Sequence, residues 1–506
     1  MGQPTILLRN GLLIDGSGAA PVRGDLLISG ERIAAVGRFD PPADAEVIDC
    51  GEAAIAPGFI DAHSHSDLQV LENRHEKSDQ GVTTEVVGNC GFSPYPFVHD
   101  RAPLQEFANG ILYGGSEWGW PNAGAYLDEV ERKASLASVF SLIGHGSLRV
   151  AVAGHRQGPL PEEAVRAMEA LLSDALEAGA CGLSTGLMYA PGSSAPFEEL
   201  LRLCKVVARH NRIYTTHMRS YSWTLLEALD EQLALARQSG CRLQISHLQA
   251  VGQANWDKQA RALEKIEQAR AEGIDVAFDI YPYTAGSTVM TQFLPQWALD
   301  GGNSAMLARL ADSPQRAEIT AQVRDQTAQR WSDILVTSVR TAANQPLLGK
   351  SLADIAALRD LDPIETMLRI LEEEQGEVNI VSFNQSESNL RSLLTHPLCI
   401  VISDGFYVKG LPHPRLYGTF PMLLSEICRT RRWMPLEEAI HKVTAKPALR
   451  FRMPDRGLLQ PGMYADITVF DAGRVSTPAT YADPMRRPEG ITHVFRKGRQ
   501  LAGAAA

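Results

Sequence analysis

Two histidines separated by one serine are the first residues in the chain that could support metal chemistry. His63 and His65 end an apolar stretch that begins at residue 58. In a β-strand, residues two positions apart project to the same face, so both imidazoles can reach one ion. Imidazole nitrogen, thiolate sulfur and carboxylate oxygen are ligands that zinc accepts, so this pattern indicates zinc chemistry. Metal-capable residues also end later apolar stretches, and these are Cys90, His145, His217, His247 and Asp404.

Each of these residues also has a structural interpretation. An isolated histidine at a strand end is more often a hydrogen-bonded structural residue than a ligand, and this applies to His145. A buried free cysteine usually packs as a small hydrophobic side chain, as Cys90 could. Asp404 could cap a helix or close an Asx-turn. The ligand interpretation is favoured for the paired histidines, for the two later histidines one strand–helix unit apart, and for the aspartate that ends the final apolar stretch.

The elements that must position these residues alternate between short strands and amphipathic helices. The segment 161–179 places Val165, Met168, Leu172 and Leu176 on one helical face. Strand–helix units imply a parallel sheet, and a long series of them predicts a (β/α)8 barrel, whose strand ends open onto one catalytic face. One strand candidate must lie outside such a barrel, and the sequence leaves open which. The nine candidates are 58–66, 82–91, 138–146, 180–189, 212–220, 242–249, 274–283, 378–383 and 399–405.

The two ends of the chain and one internal stretch depart from this alternation. Residues 1–56 read as short hairpin strands with Gly and Asp turns, and strand patterns return within 431–506 after a last helical segment. Neither end would form a stable fold alone, so together they predict one small β-sandwich-like domain. The catalytic barrel is expected at 57–430, with a polar insertion or lid at about 285–350.

Composition excludes several other classes of protein. The 506 residues include 48 Lys and Arg against 59 Asp and Glu, a net charge of −11, which argues against a nucleic-acid partner. No apolar run reaches the roughly 20 residues of a membrane span, and the N-terminus does not resemble a secretory signal. The 7 cysteines are scattered and odd in number, which predicts free thiols in a reducing cytoplasm. The oligomeric state cannot be read from the sequence.

Several longer motifs resemble those of a known enzyme family. PGFIDAHSHSD at 57–67, GVTTEVVGNCGFSP at 81–94, DIYPYTAGST at 279–288 and HPRLYGTFP at 413–421 are similar to D-aminoacylases, the N-acyl-D-amino-acid deacylases of the amidohydrolase superfamily. CGLSTGLMYAPG, YTTHMRS, ISHLQ and SDG occur between them in the same order. The resemblance continues to GLLQPGMYADITVFD at 457–471 and so covers nearly the whole chain.

The resemblance implies a metal site and a mechanism. It assigns one tightly held zinc to Cys90, His217 and His247. A second metal position, weak or optional, is lined by the remaining candidates, His63, His65 and Asp404. Asp404 is expected to act as general base and then to pass a proton to the leaving amine. Amide hydrolysis needs a nucleophile at neutral pH, which a zinc ion provides by lowering the pKa of water from about 15.7 to about 7.

Substrate recognition departs from the family pattern at one position. After the second ligand histidine the family usually has SHHK, whose lysine helps to bind the α-carboxylate, whereas this chain has SHLQ with Gln249. A neutral amide can still donate hydrogen bonds, but without charge assistance. The other substrate-binding residues implied by the resemblance are Arg415, Tyr189, Ser287 and Tyr283.

The expected reaction is cleavage of an N-acyl-D-amino acid to a carboxylate and a free D-amino acid. Members that prefer acidic side chains carry an arginine shortly after AGST, and here that stretch reads VMTQFLPQW. A neutral or hydrophobic side chain fits the apolar Val289, Met290 and Phe293 better. The alternatives are a divergent enzyme for another N-acyl amide, a hydantoinase-like cyclic amidase, and a catalytically inactive relative. A hydantoinase normally carries a carboxylated lysine, which the fourth strand candidate lacks.

Overall fold

The computed structural model describes residues 5–114 and 118–503. The outermost residues of the two predicted terminal segments, 1–4 and 504–506, lie outside this part of the chain. At the centre is a barrel of eight parallel strands, which confirms the predicted fold class. In spatial order around the barrel, its strands are Phe59–Asp61, Val82–Val87, Ser138–Gly144, Gly182–Gly186, Ile213–His217, Arg242–Ile245, Val276–Ile280 and Cys399–Val401. They are called here the first to the eighth barrel strand.

The barrel nearly closes between its first and eighth strands. A parallel bridge joins Ser64 to Gly405, just beyond the carboxyl ends of the two strands. The N–H of His65 donates to the carbonyl of Gly405 (3.0 Å), and the N–H of Asp404 donates to the carbonyl of His63 (2.9 Å). These backbone bonds place the paired histidines directly beside the aspartate that ends the last strand.

Amphipathic helices surround the barrel as the sequence periodicity predicts. The helix Glu162–Glu177 buries Val165, Met168, Leu172 and Leu176, and the chain turns at Gly179, whose φ is +112°. No helix in the described ranges is both long and apolar enough to cross a membrane. The other helices are Gln69–Glu72, Ala102–Ala108, Ala123–Lys133, His145–Ala153, Phe197–Arg209, Leu225–Ser239, Lys258–Ala271, Gly302–Ala311, Ser313–Gln326, Leu352–Arg359, Pro363–Glu373, Glu387–Thr395, Arg415–Met422, Leu436–Val443, Ala445–Arg450 and the π-helical Leu423–Thr430.

The strand candidate that lies outside the barrel is 378–383, which belongs to a separate sheet. Asn379–Phe383 pairs antiparallel with Ala285–Val289 and with Ile334–Ser338, and these three strands form a sheet of their own. Helices packed on this sheet give it a distinct apolar core that includes Met306, Val336 and Leu371. The insertion predicted at about 285–350 therefore continues to residue 383, because the strand that completes its sheet follows its helices.

Both termini contribute to the remaining sheet. Its N-terminal strands are Thr5–Leu13, Val22–Ser29, Arg32–Gly37, Glu46–Asp49 and Ala54–Pro57. The C-terminal strands Ile467–Phe470, Ile491–Arg496 and Arg499–Gly503 join them where Ile467–Phe470 pairs with Ala54–Pro57. The resulting eight-stranded sheet has its own core, in which Leu8, Leu26, Ile467 and Phe495 are fully buried.

Candidate metal centre and active site

Four side chains from distant parts of the barrel meet at the carboxyl ends of its strands. His63 Nε2 lies 3.2 Å from Cys90 Sγ and 3.3 Å from Asp404 Oδ1. His247 Nε2 lies 3.6 Å from the same sulfur. One potential ligand atom from each of the four residues lies within 4.8 Å of the others, and all four residues are buried. Thiolate, imidazole and carboxylate at this separation can converge on one cation.

His65 and His217 border this cluster. His65 Nε2 lies 3.3 Å from Asp404 Oδ1. The ring of His217 lies 4.6 Å from the ring of His247, centroid to centroid, and is flanked by Tyr189 at 4.9 Å. Both ring nitrogens of His217 are buried and have no hydrogen-bond partner in the described part of the chain. Buried polar atoms normally have a partner, so these free nitrogens fit a role of His217 as a metal ligand.

These residues fit a zinc ion by their chemistry. The soft thiolate of Cys90 combined with imidazoles is typical of zinc ligation, and the carboxylate of Asp404 completes the set. The six predicted metal residues lie together, but the structure does not separate them into the two predicted groups. Cys90 Sγ is nearer to His63 Nε2 (3.2 Å) than to His247 Nε2 (3.6 Å), so it contacts a histidine of each predicted group.

The backbone at three of these positions is in the left-handed region. φ is +53° at Cys90, +33° at His247 and +49° at Asp404. Such conformations are unfavourable for residues with a Cβ and persist only where the surrounding structure fixes them. The Asp279 carboxylate contributes to this at His247, whose backbone N–H donates to Asp279 Oδ1 (2.7 Å).

Asp279 is a residue that the sequence analysis missed. Besides its bond to the His247 backbone, its Oδ1 lies 3.5 Å from His63 Nδ1, and its Oδ2 accepts a hydrogen bond from Gln244 (2.9 Å). A carboxylate behind a metal-binding imidazole fixes the ring orientation and tautomer. The available signal was its position at the end of the seventh barrel strand, within FDIYPY.

A buried ion pair, also missed, joins the strands that carry the paired histidines and the aspartate. Lys77 Nζ lies 2.5 Å from Asp61 Oδ2, and both side chains are almost fully buried. The other carboxylate oxygen of Asp61 accepts the N–H of Ser403 (3.0 Å), which immediately precedes Asp404. Asp61 is two residues before His63, so its bond to Ser403 joins the segment that carries the paired histidines to the segment that carries Asp404.

Burial and neighbouring charges shift the pKa values of the cluster. Burial raises the pKa of the Cys90 thiol, and the nearby His63 opposes part of that rise. Burial alone would also raise the pKa of Asp404, but Arg415 and His63 outweigh it and hold that pKa well below its usual range. Asp404 is therefore a carboxylate at neutral pH, the state that a general base requires.

Arg415 contacts the cluster through Asp404. Its Nη1 lies 3.0 Å from Asp404 Oδ2, and its guanidinium carbon lies 4.5 Å from the centroid of the Tyr281 ring. Arg415 is 1% exposed, so the charge is balanced by the carboxylate rather than by water. The structure places this predicted substrate-binding residue behind the base, at the start of the helix Arg415–Met422.

Three of the other predicted substrate-binding residues line a cavity over the cluster. This cavity has a volume of about 470 Å³, and Gln249, Ser287 and Tyr189 are in its wall. The Gln249 side chain accepts a hydrogen bond from the hydroxyl of Tyr281 (3.2 Å). The hydroxyl of Tyr189 lies 3.1 Å from Thr288 Oγ1, so the Tyr189 ring forms a wall between the barrel and the inserted sheet.

Tyr283 is not brought into this cavity. It is 5% exposed, and its ring packs edge-on against His413 with a centroid separation of 5.1 Å. The seventh barrel strand ends at Ile280, and a turn follows in which the N–H of Tyr283 donates to the carbonyl of Tyr281 (2.9 Å). The turn removes the alternation of a strand, so Tyr281 reaches the cavity and Tyr283 does not.

The inserted sheet forms the outer wall of the cavity. Its segments 292–296 and 326–329 contribute lining residues opposite the barrel loops. Gln296 Nε2 donates to the carbonyl of Met188 (3.1 Å), and Trp223 Nε1 donates to the carbonyl of Gln326 (3.2 Å). The predicted lid is thus in contact with the barrel on two sides of the opening.

His145 has the structural role that its sequence context favoured. Its Nε2 lies 2.9 Å from Glu199 Oε1, and Glu199 also accepts hydrogen bonds from Arg149 (2.8 Å). All three side chains are buried and none belongs to the ligand cluster; His145 and Arg149 are on the helix His145–Ala153, and Glu199 is on the helix Phe197–Arg209. Burial lowers the pKa of His145, and Glu199 opposes that shift only in part.

Comparisons with known proteins agree over nearly the whole chain. The amidohydrolase family Amidohydro_3 matches residues 46–502. N-acyl-D-glutamate deacylase of Alcaligenes xylosoxydans xylosoxydans is 36% identical over 497 residues, 97% of this chain and 92% of that protein. D-aminoacylase of the same organism is 34% identical over 497 residues, 97% and 93% of the two chains. The crystal structure of N-acyl-D-glutamate deacylase from Bordetella bronchiseptica, complexed with zinc and a phosphonate inhibitor that mimics the tetrahedral intermediate, matches with a TM-score of 0.85 and 34% identity, covering 99% of this chain and 96% of that one.

Proposed function

We propose a function from the family to which this chain belongs, the N-acyl-D-amino-acid deacylases of the amidohydrolase superfamily. The enzyme hydrolyses the amide bond of an N-acyl-D-amino acid and releases a carboxylate and a free D-amino acid. The observation that carries this proposal is the buried cluster of His63, Cys90, His247 and Asp404 at the base of a cavity large enough for such a substrate. A thiolate in place of a carboxylated lysine distinguishes it from the hydantoinase alternative.

Asp404 performs the proton transfers in this mechanism. It accepts the proton of the attacking water and then delivers it to the amide nitrogen as the C–N bond breaks. Its Oδ1 faces His63 and His65, while its Oδ2 is held by Arg415, so the carboxylate is fixed at both oxygens. When bound, zinc supplies activation of the water and polarisation of the amide carbonyl.

The metal is proposed to be one tightly bound zinc with a second, optional position. Cys90, His217 and His247 hold the tight ion, and His63, His65 and Asp404 line the other position. The two unpartnered nitrogens of His217 and the proximity of Cys90 Sγ to His247 Nε2 support the first assignment. The proximity of both paired histidines to one oxygen of Asp404 supports the second.

The α-carboxylate of the substrate is proposed to bind on the side of the sixth to eighth barrel strands. Gln249 and the hydroxyl of Tyr281 are hydrogen-bonded to each other there, and the guanidinium of Arg415 packs on the Tyr281 ring. Gln249 supplies a neutral donor, and the cation on this side is Arg415, which pairs with Asp404 and packs on Tyr281 without lining the cavity. Ser287 lines the same cavity, and its hydroxyl donates to the carbonyl of Ile380 (2.9 Å).

A neutral or hydrophobic side chain is proposed for the D-amino acid. Among the described residues that line the cavity, Arg219 is the one arginine or lysine. Its guanidinium pairs with Glu231 at 2.9 Å and also donates to the carbonyl of Ala195 (2.5 Å), so it is already occupied. The wall opposite the barrel includes Phe293 and Leu294, which would contact an apolar side chain.

The test is hydrolysis of matched N-acetyl-D- and N-acetyl-L-amino acids by zinc-reconstituted protein. The panel contains Met, Leu, Phe, Glu and Asp side chains, with hydantoin and simple aryl amides beside them. We expect turnover of D-substrates with neutral side chains and little of the L-forms. Turnover of hydantoin alone, or of an aryl amide alone, would retain a metal-dependent amidase and discard the substrate assignment.

A further inference from the structure

A second, smaller cavity adjoins the one above the ligand cluster. Its volume is about 120 Å³, and it shares Phe92, Ile111, Met188, Tyr189 and Gln292 with the wall of the larger cavity. Its far side is formed by the helix Ala102–Ala108, the loop that follows it, and the inserted sheet with its helices. The shared residues line both cavities, so the two cavities are neighbours within one site.

An apolar path runs from the ligand cluster to this second cavity. Cys90, Phe92 and Ile111 belong to one apolar cluster, which also contacts Phe107 and Val289. The Phe92 ring stacks on Phe107 at a centroid distance of 4.6 Å and meets Tyr189 edge-on at 5.1 Å. A group that leaves the cluster in this direction therefore contacts mainly apolar side chains, and Gln292 is the polar side chain among the residues that the two cavities share.

The rim of the second cavity has polar groups that are already paired. His155 Nε2 lies 3.2 Å from Glu106 Oε2, and the other oxygen of Glu106 accepts the N–H of Asn303 (3.0 Å). The Asn303 side chain donates to the carbonyl of Gln375 (2.8 Å). Glu106 is 44% exposed, so these charged groups lie at the open end of the cavity, and the apolar Phe92, Phe107 and Val289 line another part of it, which suits an uncharged chain.

The position of the cavity decides which part of the substrate it would receive. The groups assigned to the α-carboxylate lie beyond the sixth to eighth barrel strands, at Gln249, Tyr281 and Arg415. The second cavity lies beyond the second and fourth strands, at Phe92 and Tyr189, on the opposite side of the barrel mouth. The two substituents of the scissile carbonyl carbon point away from each other, so the acyl group faces the second cavity when the amino acid faces the sixth to eighth strands.

We propose that the second cavity is the acyl subsite and that the substrates carry an unbranched apolar acyl group longer than acetyl. This inference rests on the proposed function. A volume of about 120 Å³ holds about four methylene-sized groups, if each occupies about the 30 Å³ of one water. Each methylene buried in an apolar site contributes about a fourfold gain in binding. The preferred substrates are therefore N-butanoyl to N-hexanoyl derivatives.

The experiment measures kcat/KM for N-acetyl-, N-butanoyl-, N-hexanoyl- and N-octanoyl-D-methionine with the zinc-loaded enzyme. We expect a rise of at least tenfold from acetyl to hexanoyl, followed by a plateau. Thr291→Trp fills the second cavity and should lower the hexanoyl-to-acetyl ratio at least tenfold. Thr327→Trp, in the wall of the larger cavity only, is the matched control and should preserve that ratio.

Two results would overturn the acyl subsite. One is a flat or falling dependence on acyl length in the wild-type enzyme. The other is an unaltered ratio in Thr291→Trp together with a reduced preference for longer amino-acid side chains, which would assign the cavity to the D-amino acid. If thermal melting shows that Thr291→Trp is unfolded, Asn109→Trp fills the same cavity from the opposite wall. Failure of all N-acyl-D-amino acids would instead refute the proposed function.

Discussion

Replacing Asp404 by asparagine separates proton transfer from the other contacts of this residue. The amide has the same shape and keeps a carbonyl oxygen towards His63 and His65, which lie 3.3 Å from Oδ1 in the wild type. It loses the negative charge that Arg415 contacts at 3.0 Å, and it cannot accept a proton. The variant therefore changes turnover, stability and metal binding by different amounts, and each can be measured.

The expected magnitudes follow from these contacts. Loss of a positioned general base lowers kcat by about 10² to 10⁴, or about 3 to 5 kcal/mol in the barrier. Arg415 is 1% exposed, and removing one partner of a buried ion pair costs about 3 to 5 kcal/mol of stability. With the carbonyl oxygen kept towards His63 and His65, the amide NH2 faces Arg415 and cannot accept a hydrogen bond, so the expected loss lies near the upper end. Zinc content should stay close to wild type because Cys90, His217 and His247 are untouched.

The assays are single-turnover kinetics, elemental analysis of zinc and denaturant unfolding of the apo and loaded proteins. The matched control is the double variant Asp404→Asn/Arg415→Met, which removes the unpaired guanidinium. It should recover stability relative to Asp404→Asn while turnover remains low. Near-wild-type kcat in Asp404→Asn would remove this residue from the mechanism. A fall in kcat that is fully accounted for by lost zinc would show that Asp404 acts as a ligand and not as the base.

Three further outcomes are expected. Asp279→Asn should weaken metal binding at the second, optional position about 10- to 100-fold because the carboxylate no longer orients His63, and unchanged affinity for a second equivalent of zinc in a chelator competition would contradict this. Gln249→Lys should raise kcat/KM for N-acyl-D-amino acids by about tenfold through a charge-assisted bond to the carboxylate, and the absence of any gain counts against the carboxylate assignment. Burial lowers the pKa of Lys446 to about 8. Between pH 8 and about 10.4 the unfolded chain therefore binds more protons than the folded chain. The free energy of unfolding rises with pH in that window. In urea titrations, wild type should therefore gain stability relative to Lys446→Met from pH 8 to 10, and a constant difference would refute the shift.

Much of the barrel can be predicted from the sequence because the patterns that indicate its strands and helices each lie within one short segment. Each barrel strand is a short apolar stretch followed by a helix whose apolar residues recur at helical spacing, as in Glu162–Glu177. The paired histidines are recognisable because residues two apart on a strand share a face. The motifs around Cys90 and Arg415 were specific enough to identify the family, which the comparisons confirm.

The tertiary structure decided what depends on contacts between distant segments. Asn379–Phe383 has the apolar pattern of a barrel strand, and only its partners show that it completes the inserted sheet. Periodicity reports that a strand is buried but not which sheet buries it.

The same limit applies at the ligand cluster. The sequence supplied the ligand types, yet it could not show that Asp279 supports both His63 and His247, or that Arg415 pairs with Asp404. Those contacts join residues far apart in the chain, and their energies depend on burial and distance, which exist only once the barrel has formed. Residue types and spacing therefore determined the chemistry available to this protein, and the closed barrel determined which groups act on one another.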